Sequence, residues 1–240
     1  MLAGIAPMVR VSRHLQGANS LTQETEPLFD RAANDGYSAG TLDHLRGADP
    51  VMANLIDRFG LVRHERHRPP FYSLMAAIVG QQISVKAAAA IMERLTGTFP
   101  EGRTVGPAAL AAVPIEQLRA VGLSGAKARY MHDLAEKVAS GVVDLERLPA
   151  LQDEEVIAAL RQIKGIGRWT AEMFLIFSLG RLDVLAVDDL GLRTGIQRAY
   201  ALDHLPQAAE IRSLAEPWRP YRTIATLYLW HYLHNTPLQR

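Results

Sequence analysis

Residues 164–174 read KGIGRWTAEMF, and this stretch decides the fold because it places a tight turn directly before a helix. Gly165 and Gly167 bracket one isoleucine, and glycine permits positive φ and close approach of another backbone. The helix that follows leaves its first N–H groups without partners inside the helix, at the positive end of its dipole. Such a terminus can bind a phosphate oxygen. On spacing alone we prefer an ordinary tight turn with Ile163 and Ile166 in the core.

The rest of the chain, from Asp49 onward, predicts a series of helices separated by glycine and proline. Asp49 precedes Pro50, a pairing typical of a helix start. A second predicted start lies at Ser84, after a break between helices at residues 80–84. Alternating strand patterns are essentially absent, so we expect an all-α fold. Residues 1–40 are polar and irregular, and we interpret them as an N-terminal extension to a helical core at 41–240.

Length and charge limit the possible architectures and partners. A chain of 240 residues is long enough for one large domain or two small lobes. The net charge of +1 excludes a global basic field, so nucleic-acid binding would require a local patch. Only four of the 26 basic residues are lysine. Arginine suits bidentate phosphate contacts, although a genome rich in arginine codons explains this excess as well.

The absence of cysteine and of long apolar runs is consistent with a cytoplasmic protein. Without cysteine the chain can hold no disulfide, no thiolate zinc site and no iron–sulfur cluster. No apolar run reaches the roughly 20 residues of a membrane helix. The N-terminal MLAGIAPMVRVSRHL lacks the apolar core of a signal peptide. We therefore expect no export and no membrane partner.

Two segments together resemble a known family. LRQIKGIGRWTAEMF (160–174) followed by DVLAVDDLGLRTG (183–195) is similar to the helix-hairpin-helix superfamily of DNA base-excision glycosylases, in particular its 3-methyladenine DNA glycosylase II branch. The likeness extends over about residues 42–234. It implies a two-lobed all-α fold with the damaged base bound in a cleft between the lobes and the hairpin at about 155–180. It also implies a monomer that acts on double-stranded DNA with alkylated bases, and hence association with the nucleoid. The N-terminal segment is too short for the β-rich domain that some relatives have.

The resemblance assigns the hairpin to one DNA phosphate. It implies that backbone amides grip the phosphate at Gly165, Gly167 and Trp169. Lys164 and Arg168 add positive charge beside these amides. The family often places a monovalent cation, Na⁺ or K⁺, against hairpin carbonyls, which here are those of Arg161, Ile163 and Ile166. No other cofactor is implied, and the lack of cysteine excludes the iron–sulfur branch.

The aspartate pair at 188 and 189 is the candidate for chemistry. Locally, one of the two is expected to cap the helix LGLRTGIQRAY by accepting its free N–H groups. In the family the aspartate at this helix start is the catalytic carboxylate, which matches Asp189. Asp188 is the alternative, because the preceding loop varies in length among relatives. Breaking an N-glycosidic bond builds positive charge on the deoxyribose, and a nearby anion stabilises that charge or orients water.

Aromatic residues are the candidates for a base pocket. The resemblance matches Trp169 and Trp230 to pocket positions, and a cationic alkylated base would gain roughly 0.5–2 kcal/mol from stacking on such rings. Met173 stands where some relatives carry an aromatic pocket residue, which leaves the substrate range open. Weaker candidates are Tyr228, Tyr232, Phe174 and Trp218. For Phe174 and Trp218 we prefer core packing.

The loop GQQIS at 80–84 is the candidate for DNA intercalation. In the family this loop inserts a side chain into the duplex to fill the gap left by the flipped base. Flipping costs a few kcal/mol, so a filling side chain is physically reasonable. Gln82 and Ile83 both remain candidates.

The lysine positions argue against strand cleavage. Bifunctional relatives form a Schiff base through a lysine just after the hairpin glycines, where this chain has Trp169. We therefore expect base excision without lyase activity. The alternatives are a non-catalytic helix-hairpin-helix DNA-binding protein and, less favoured, an oxidised-guanine glycosylase with lyase activity. Asp189 together with an aromatic pocket favours the alkylbase glycosylase.

Overall fold

The structure is a computed structural model that describes residues 37–64, 69–99 and 105–235. These residues form twelve α-helices and no strand, which confirms the predicted all-α class. None of these helices has both the length and the apolar character needed to cross a membrane. In chain order the helices are α1 (Ala39–Ala48), α2 (Pro50–Phe59), α3 (Pro70–Gly80), α4 (Val85–Gly97), α5 (Pro107–Ala111), α6 (Ile115–Ala120), α7 (Gly125–Ala139), α8 (Asp153–Leu160), α9 (Arg168–Phe177), α10 (Leu190–Ala199), α11 (Ala208–Leu214) and α12 (Arg222–Asn235).

The helix starts follow local capping chemistry. The side chain of Asp49 accepts hydrogen bonds from the backbone N–H groups of Val51 at 2.8 Å and Met52 at 3.2 Å, and Pro50 is the first residue of α2. Ser84 caps α4 by accepting from the N–H of Ala87 at 3.2 Å. Both predicted starts are therefore confirmed.

The described residues divide into two compact units, and the first comprises 69–99 and 105–186. Within this unit α3 packs against α4, α7 and α9, while α5 packs on α7 and α8 on α9. Leu74, Met75 and Ile78 of α3 are buried with Met131 and Leu134 of α7. This core holds two functional candidates in one unit: the hairpin between α8 and α9 and the loop after α3.

The second unit combines both ends of the described chain, residues 37–64 and 187–235. Here α10 and α2 pack against α12, and α1 packs on α2. Residues 223–231 of α12 are all buried, as expected for a helix surrounded by the rest of its unit. Because α10 begins directly after Asp189, its packing on α12 brings the capping aspartate close to Trp230.

A buried polar cluster joins distant segments of the second unit. The carboxylate of Asp49 accepts from the indole N–H of Trp218 at 2.9 Å and from the hydroxyl of Tyr200. Trp218 is fully buried, which confirms its predicted role in core packing. Phe174, in the first unit, is also buried, so the same prediction is confirmed there.

The described residues of the second unit begin within the predicted extension. Tyr37 is buried, and its hydroxyl donates to the carbonyl of Val62. Helix α1 then begins at Ala39. Residues 1–36 of the predicted extension lie outside the described residues.

Candidate active site

Glycine is present at the two hairpin positions, 165 and 167, for different structural reasons. Gly165 has a φ of +84°, and a Cβ there would lie 2.3 Å from Cδ2 of Tyr130, so no other residue fits without displacement. Gly167 has an ordinary φ of −88° and caps α9. A Cβ at Gly167 would meet no atom of the described residues within 4 Å. Gly167 therefore leaves the start of α9 uncovered, whereas Gly165 makes the turn possible.

The hydrophobic residues of the hairpin are core residues. Ile163 is 1% exposed and Ile166 is 4% exposed. The N–H of Ile166 donates to the carbonyl of Ile163 at 3.1 Å. The side chains of Ile163 and Ile166 thus pack into the core of the first unit, as expected for an ordinary tight turn. Because these two side chains are buried, only the backbone at these positions is available to a ligand.

Asp133 on α7 anchors the hairpin backbone. Its Oδ2 accepts from the backbone N–H of Lys164 and from Nζ of Lys137, each at 2.8 Å. Lys137 also donates to the carbonyl of Gln162. Burial alone would raise the pKa of the Asp133 carboxyl, but these hydrogen bonds and the charges of Lys137 and Lys164 hold that pKa below its usual value. An ionised Asp133 therefore keeps the turn in place at neutral pH.

The two basic residues of the hairpin, Lys164 and Arg168, differ in solvent exposure and in ion pairing. The side chain of Lys164 is 72% exposed, with Nζ at 3.5 Å from Oδ1 of Asp133. Arg168 instead donates to Glu154 at 3.0 Å and to the buried Glu172 at 2.9 Å. The hydrogen bond to Glu154 is the main reason that the pKa of Arg168 is raised above its ordinary value. Lys164 is thus the more accessible cation of the hairpin.

The candidate cation site consists of backbone carbonyls alone. The Ile163 carbonyl accepts the N–H of Ile166, and a carbonyl oxygen keeps a second lone pair after one hydrogen bond. Within the described ranges no group of three or more His, Asp or Glu side chains could hold a metal ion. A monovalent cation at the hairpin therefore remains a prediction from family resemblance.

Asp189 is the N-cap of α10, as the local pattern predicts for one of the two aspartates. Its Oδ1 accepts the backbone N–H of Leu192 at 2.6 Å and the indole N–H of Trp230 at 2.8 Å. Asp189 is 9% exposed and Trp230 is 6% exposed. Asp188, the alternative, is exposed at the surface. Within the second unit, the structure thus brings the predicted carboxylate and one predicted pocket tryptophan into direct contact.

Gly191 permits the contact between Asp189 and Trp230. A Cβ at Gly191 would lie 3.0 Å from Nε1 of Trp230 and 3.1 Å from Oδ1 of Asp189. Both distances are shorter than ordinary contacts of a methyl group, so a larger residue would push the pair apart. Gly191 was not singled out from the sequence, because only its packing reveals its role.

The other two pocket candidates lie on α9 in the first unit. Trp169 is half-buried in the first turn of α9, and Met173 is 7% exposed one turn later. A spacing of four residues places their side chains on one face of the helix. Of the weaker candidates, Tyr228 is fully buried and its hydroxyl donates to the carbonyl of Gly60 at 2.7 Å, whereas Tyr232 is half-buried.

The loop between α3 and α4 contains a residue in an unusual backbone conformation. Gln82 has a φ of +58°, which is uncommon outside glycine, and its side chain is exposed. Ile83 is half-buried. The structure therefore presents Gln82 to solvent more fully than Ile83, although both remain predictions as intercalating residues.

Comparison with known proteins identifies what this chain is similar to. The family model described as "HhH-GPD superfamily base excision DNA repair protein" matches residues 75–220. The chain is 37% identical over 191 residues to DNA-3-methyladenine glycosylase 1 of Schizosaccharomyces pombe, an alignment that covers 78% of this chain and 84% of the relative.

Solved structures show the same likeness. The structure of the 3-methyladenine DNA glycosylase of Schizosaccharomyces pombe in complex with abasic DNA matches with a TM-score of 0.70 at 35% identity, over 80% of this chain and 95% of that chain. A DNA-3-methyladenine glycosidase from Bacillus halodurans matches with a TM-score of 0.75 at 37% identity, over 82% of this chain and 91% of that chain.

Proposed function

The chain belongs to the HhH-GPD superfamily of base excision DNA repair proteins, and on that basis we propose that it is a monofunctional DNA glycosylase. It hydrolyses the N-glycosidic bond of flipped-out alkylated purines such as 3-methyladenine and 7-methylguanine. The names of the relatives from Schizosaccharomyces pombe and Bacillus halodurans support this substrate class. It acts as a monomer on double-stranded DNA, in the cytoplasm at the nucleoid.

The observation that carries the proposal is the buried carboxylate of Asp189 at the start of α10. Asp189 lies at the N-terminal, positive end of the α10 dipole. Two neutral donors, the N–H of Leu192 and the indole of Trp230, fix the orientation of Oδ1. An oriented anion in a site with little water is suited to stabilising charge that develops only in the transition state.

The chemistry requires one anion and one water molecule. As the bond between C1′ and the base nitrogen breaks, its electron pair leaves with the base and positive charge builds on the sugar. Asp189 stabilises that charge or orients the water whose oxygen bonds to C1′. On addition the water gives up a proton, which passes to solvent because the base leaves without taking one. A 3- or 7-alkylated purine is already cationic and leaves as a neutral base, so no general acid is required.

Selection of the damaged base rests on aromatic stacking. We assign Trp230 to stacking on the damaged base. By family resemblance alone, Trp169 and Met173 are further candidates for contact with a base, where the flexible thioether side chain of Met173 would accommodate different ring shapes. A cationic base gains more from an electron-rich ring than a neutral base does. The contact between Trp230 and Asp189 supports the assignment of Trp230, because it joins a base-stacking group to the sugar-facing anion.

Binding to DNA is assigned to the hairpin and to the loop after α3. The amides of Gly165, Gly167 and Trp169 bind one phosphate, and the exposed start of α9 at Gly167 supports this role. Lys164 supplies accessible positive charge, while Arg168 contributes through its backbone because its guanidinium is paired with Glu154 and Glu172. The carbonyls of Arg161, Ile163 and Ile166 hold a Na⁺ or K⁺ ion.

The intercalating residue is assigned to Gln82 in preference to Ile83. The exposed side chain and left-handed backbone of Gln82 support this choice. Strand cleavage is not part of the proposed activity, because Trp169 occupies the position of the lysine that forms a Schiff base in bifunctional relatives.

The test compares Asp189→Asn with Asp188→Asn on a duplex that contains one 7-methylguanine, with alkali treatment to reveal abasic sites. Asparagine keeps an oxygen that can accept from Leu192 and Trp230, so the fold and DNA binding should persist. Loss of the charge should slow single-turnover excision by at least about a hundredfold. Asp188→Asn, at an exposed position, should leave the rate within about threefold of the unmodified protein.

Three results would contradict the proposal in different ways. Wild-type excision by Asp189→Asn would remove the catalytic assignment, and a defect in Asp188→Asn alone would transfer it. Binding of DNA with no excision of any lesion by the unmodified protein would favour a non-catalytic DNA-binding protein. Strand cleavage at 8-oxoguanine without alkali would favour an oxidised-guanine glycosylase.

A further inference from the structure

One side-chain hydrogen bond joins the loop after α3 to the hairpin. Nε2 of Gln81 donates to the carbonyl of Gly165 at 2.8 Å, across 84 residues of sequence. Gly165 is the residue whose positive φ makes the hairpin turn. Gln81 is the neighbour of Gln82 in the chain. This hydrogen bond therefore joins the two segments directly.

A lysine on α7 holds the same loop by its backbone. Nζ of Lys127 donates to the carbonyl of Val79 at 2.7 Å and to the carbonyl of Gln81 at 2.5 Å. Val79 lies in the last turn of α3, where carbonyls lack partners within the helix and a cation is favourable. Partial burial lowers the pKa of Lys127. Its two carbonyl acceptors compensate for the water that the ammonium group has lost.

The face of α7 that carries Lys127 also supports the hairpin. Tyr130 packs against Gly165, and Asp133 and Lys137 hold the backbone at Lys164 and Gln162. Lys127, Tyr130, Asp133 and Lys137 are spaced by three, three and four residues, which places them on one side of the helix. One helix face thus positions both of the segments that we assign to DNA.

Gln82 needs such support because of its backbone. A non-glycine residue with a φ of +58° occupies a sparsely populated conformation that persists only where its surroundings enforce it. The residue before Gln82 is held by its carbonyl, through Lys127, and by its side chain, through Gly165. The next helix, α4, begins at Val85 and is capped by the hydroxyl of Ser84.

We propose that Lys127 and Gln81 are positioning residues that couple the phosphate-binding hairpin to the intercalating loop. Once the hairpin holds a phosphate, the Gln81–Gly165 hydrogen bond and the Lys127 ammonium place Gln82 at a set distance along the duplex. The inference rests on the proposed DNA-binding roles of the hairpin and the loop. It adds that insertion of Gln82 into the duplex depends on phosphate binding at the hairpin. It also adds that Lys127 and Gln81, which do not contact the reacting atoms, determine the efficiency of base flipping.

The test uses Lys127→Met and Gln81→Ala, with 2-aminopurine fluorescence as the report of unstacking. The probe is a duplex with 2-aminopurine next to a tetrahydrofuran abasic analogue. Both variants should bind this duplex with a Kd within about threefold of the unmodified protein, because phosphate contacts supply most of the affinity. Both should lose most of the fluorescence increase, and single-turnover excision of 7-methylguanine at saturating enzyme should fall about tenfold or more.

Matched control variants separate a loss of positioning in Lys127→Met and Gln81→Ala from a loss of positive charge and from a loss of stability. Lys127→Arg keeps a cation and several donors, and should recover a large part of the fluorescence increase. Lys86→Met removes an exposed lysine on α4, and Gln117→Ala removes an exposed glutamine on α6; both should match the unmodified protein. If Lys127→Met fails to fold, Gln81→Ala decides the question, because its side chain lies near the surface.

Two outcomes would overturn the inference: wild-type fluorescence and excision in Gln81→Ala and Lys127→Met, or an excision defect fully explained by weaker binding. Failure of the proposed function is a separate result, because it requires that the unmodified protein excise no alkylated base. The fluorescence comparison would still decide whether Gln81 and Lys127 control insertion in that case.

Discussion

At the scale of one residue, Asp189 has a structural task as the cap of α10 and, in the proposed function, a chemical task as well. Its Oδ1 receives an N–H group from the helix that it caps and another from Trp230, 41 residues further along the chain. A neutral asparagine oxygen can accept both hydrogen bonds, whereas only a carboxylate supplies negative charge. Replacing the charge alone therefore separates the two tasks, which is why Asp189→Asn is more informative than a truncation to alanine.

Gly191→Ala should impair excision with little effect on the fold. The new methyl group would lie 3.0 Å from Nε1 of Trp230 and 3.1 Å from Oδ1 of Asp189 and would lengthen their hydrogen bond by several tenths of an ångström. With Asp189 in its proposed catalytic role, a displacement on this scale should reduce kcat by about tenfold, while the Kd for an abasic duplex changes little. Single-turnover rates and fluorescence anisotropy measure the two quantities.

Trp230→Phe provides the comparison for Gly191→Ala, because it keeps an aromatic ring and removes the indole N–H. A similar loss of kcat in both variants would attribute the effect to the hydrogen bond between Trp230 and Asp189. Unchanged kcat in Gly191→Ala would show that the pair tolerates displacement.

At the scale of elements, the hairpin depends on its two neighbours, α7 and α9. Gly165 lies against the ring of Tyr130 on α7, and Gly167 exposes the first turn of α9. The two glycines therefore predict different consequences for the same substitution. Gly165 is required by packing and backbone conformation, whereas Gly167 leaves open space at the start of α9.

Gly165→Ala should destabilise the protein and weaken DNA binding, whereas Gly167→Ala should spare the fold. A left-handed backbone and a 2.3 Å contact with Tyr130 should reduce the free energy of unfolding by about 2 kcal/mol for Gly165→Ala. Gly167→Ala should stay within about 0.5 kcal/mol of the unmodified protein, as its φ is ordinary. Urea unfolding measures both values.

The binding defect of Gly165→Ala should be the same for damaged and undamaged duplexes, because a phosphate site reads no bases. Kd values for a 7-methylguanine duplex and its unmodified counterpart test this expectation. A loss confined to the damaged duplex would place Gly165 in recognition of the lesion.

Asp133→Asn should reduce stability in a pH-dependent way. The folded-state pKa of Asp133 is lowered, so its contribution is fully present above the unfolded-state pKa of about 4 and is lost as pH falls through the lower folded-state value. Two charge-assisted hydrogen bonds predict a loss of about 2 kcal/mol at pH 7. The difference in unfolding free energy between the two proteins should shrink below about pH 4.

Urea titrations from pH 3 to pH 8 measure the effect of Asp133→Asn. Glu93→Gln, an exposed carboxylate on α4, is the matched control and should show almost no difference at any pH. A constant gap between Asp133→Asn and the unmodified protein down to pH 3 would refute the anchoring role.

At the scale of the whole molecule, the chain forms the second unit from both of its described ends. Asp49 binds Trp218 across 169 residues of sequence, and Tyr228 binds the carbonyl of Gly60 across 168. The first unit is inserted between these segments in the sequence. Formation of the second unit therefore requires contacts between residues far apart in the sequence. A change in the charge of a buried group in this unit should alter the free energy of unfolding.

His231 should make the protein less stable in mild acid. It is 3% exposed, and among the described residues its Nδ1 has no hydrogen-bond partner. Its ring contacts Phe59 edge-on with centroids 4.7 Å apart. Burial lowers the pKa of His231, and His234 contributes to this shift. The unfolded chain therefore binds the proton more readily, and stability should decline as pH falls below about 6.5.

His231→Phe should remove part of that decline, as measured by Tm between pH 8 and pH 5. His204→Gln is the control of opposite sign. Hydrogen bonds to Asp203 and Glu210 raise the pKa of His204, so its stabilising effect is present at low pH and lost as pH rises. Equal slopes of Tm against pH in His231→Phe and the unmodified protein would show that His231 does not report on unfolding.

The successful predictions from the sequence depend on short patterns of capping residues, glycine, proline and apolar spacing. Asp49, Ser84 and Asp189 each cap a helix by accepting from an N–H group two or three residues ahead. The first two caps could be predicted from the sequence, and the same pattern narrowed the third to Asp188 or Asp189. The all-α class, the position of the hairpin and the buried roles of Phe174 and Trp218 follow from similar patterns of glycine, proline and apolar spacing.

The sequence alone thus determined the starts of α2 and α4 and the turn at Gly165 and Gly167, because these features depend on neighbours within one helical turn. It limited the cap of α10 to Asp188 or Asp189, and the structure decided for Asp189. Only the tertiary structure decided that Trp230 donates to Asp189, that Gly191 makes room for this contact, and that Lys127 and Asp133 hold two loops from one face of α7. These contacts depend on how each helix is rotated about its axis and packed against others. That rotation results from burial summed over many residues and is not encoded in any short stretch.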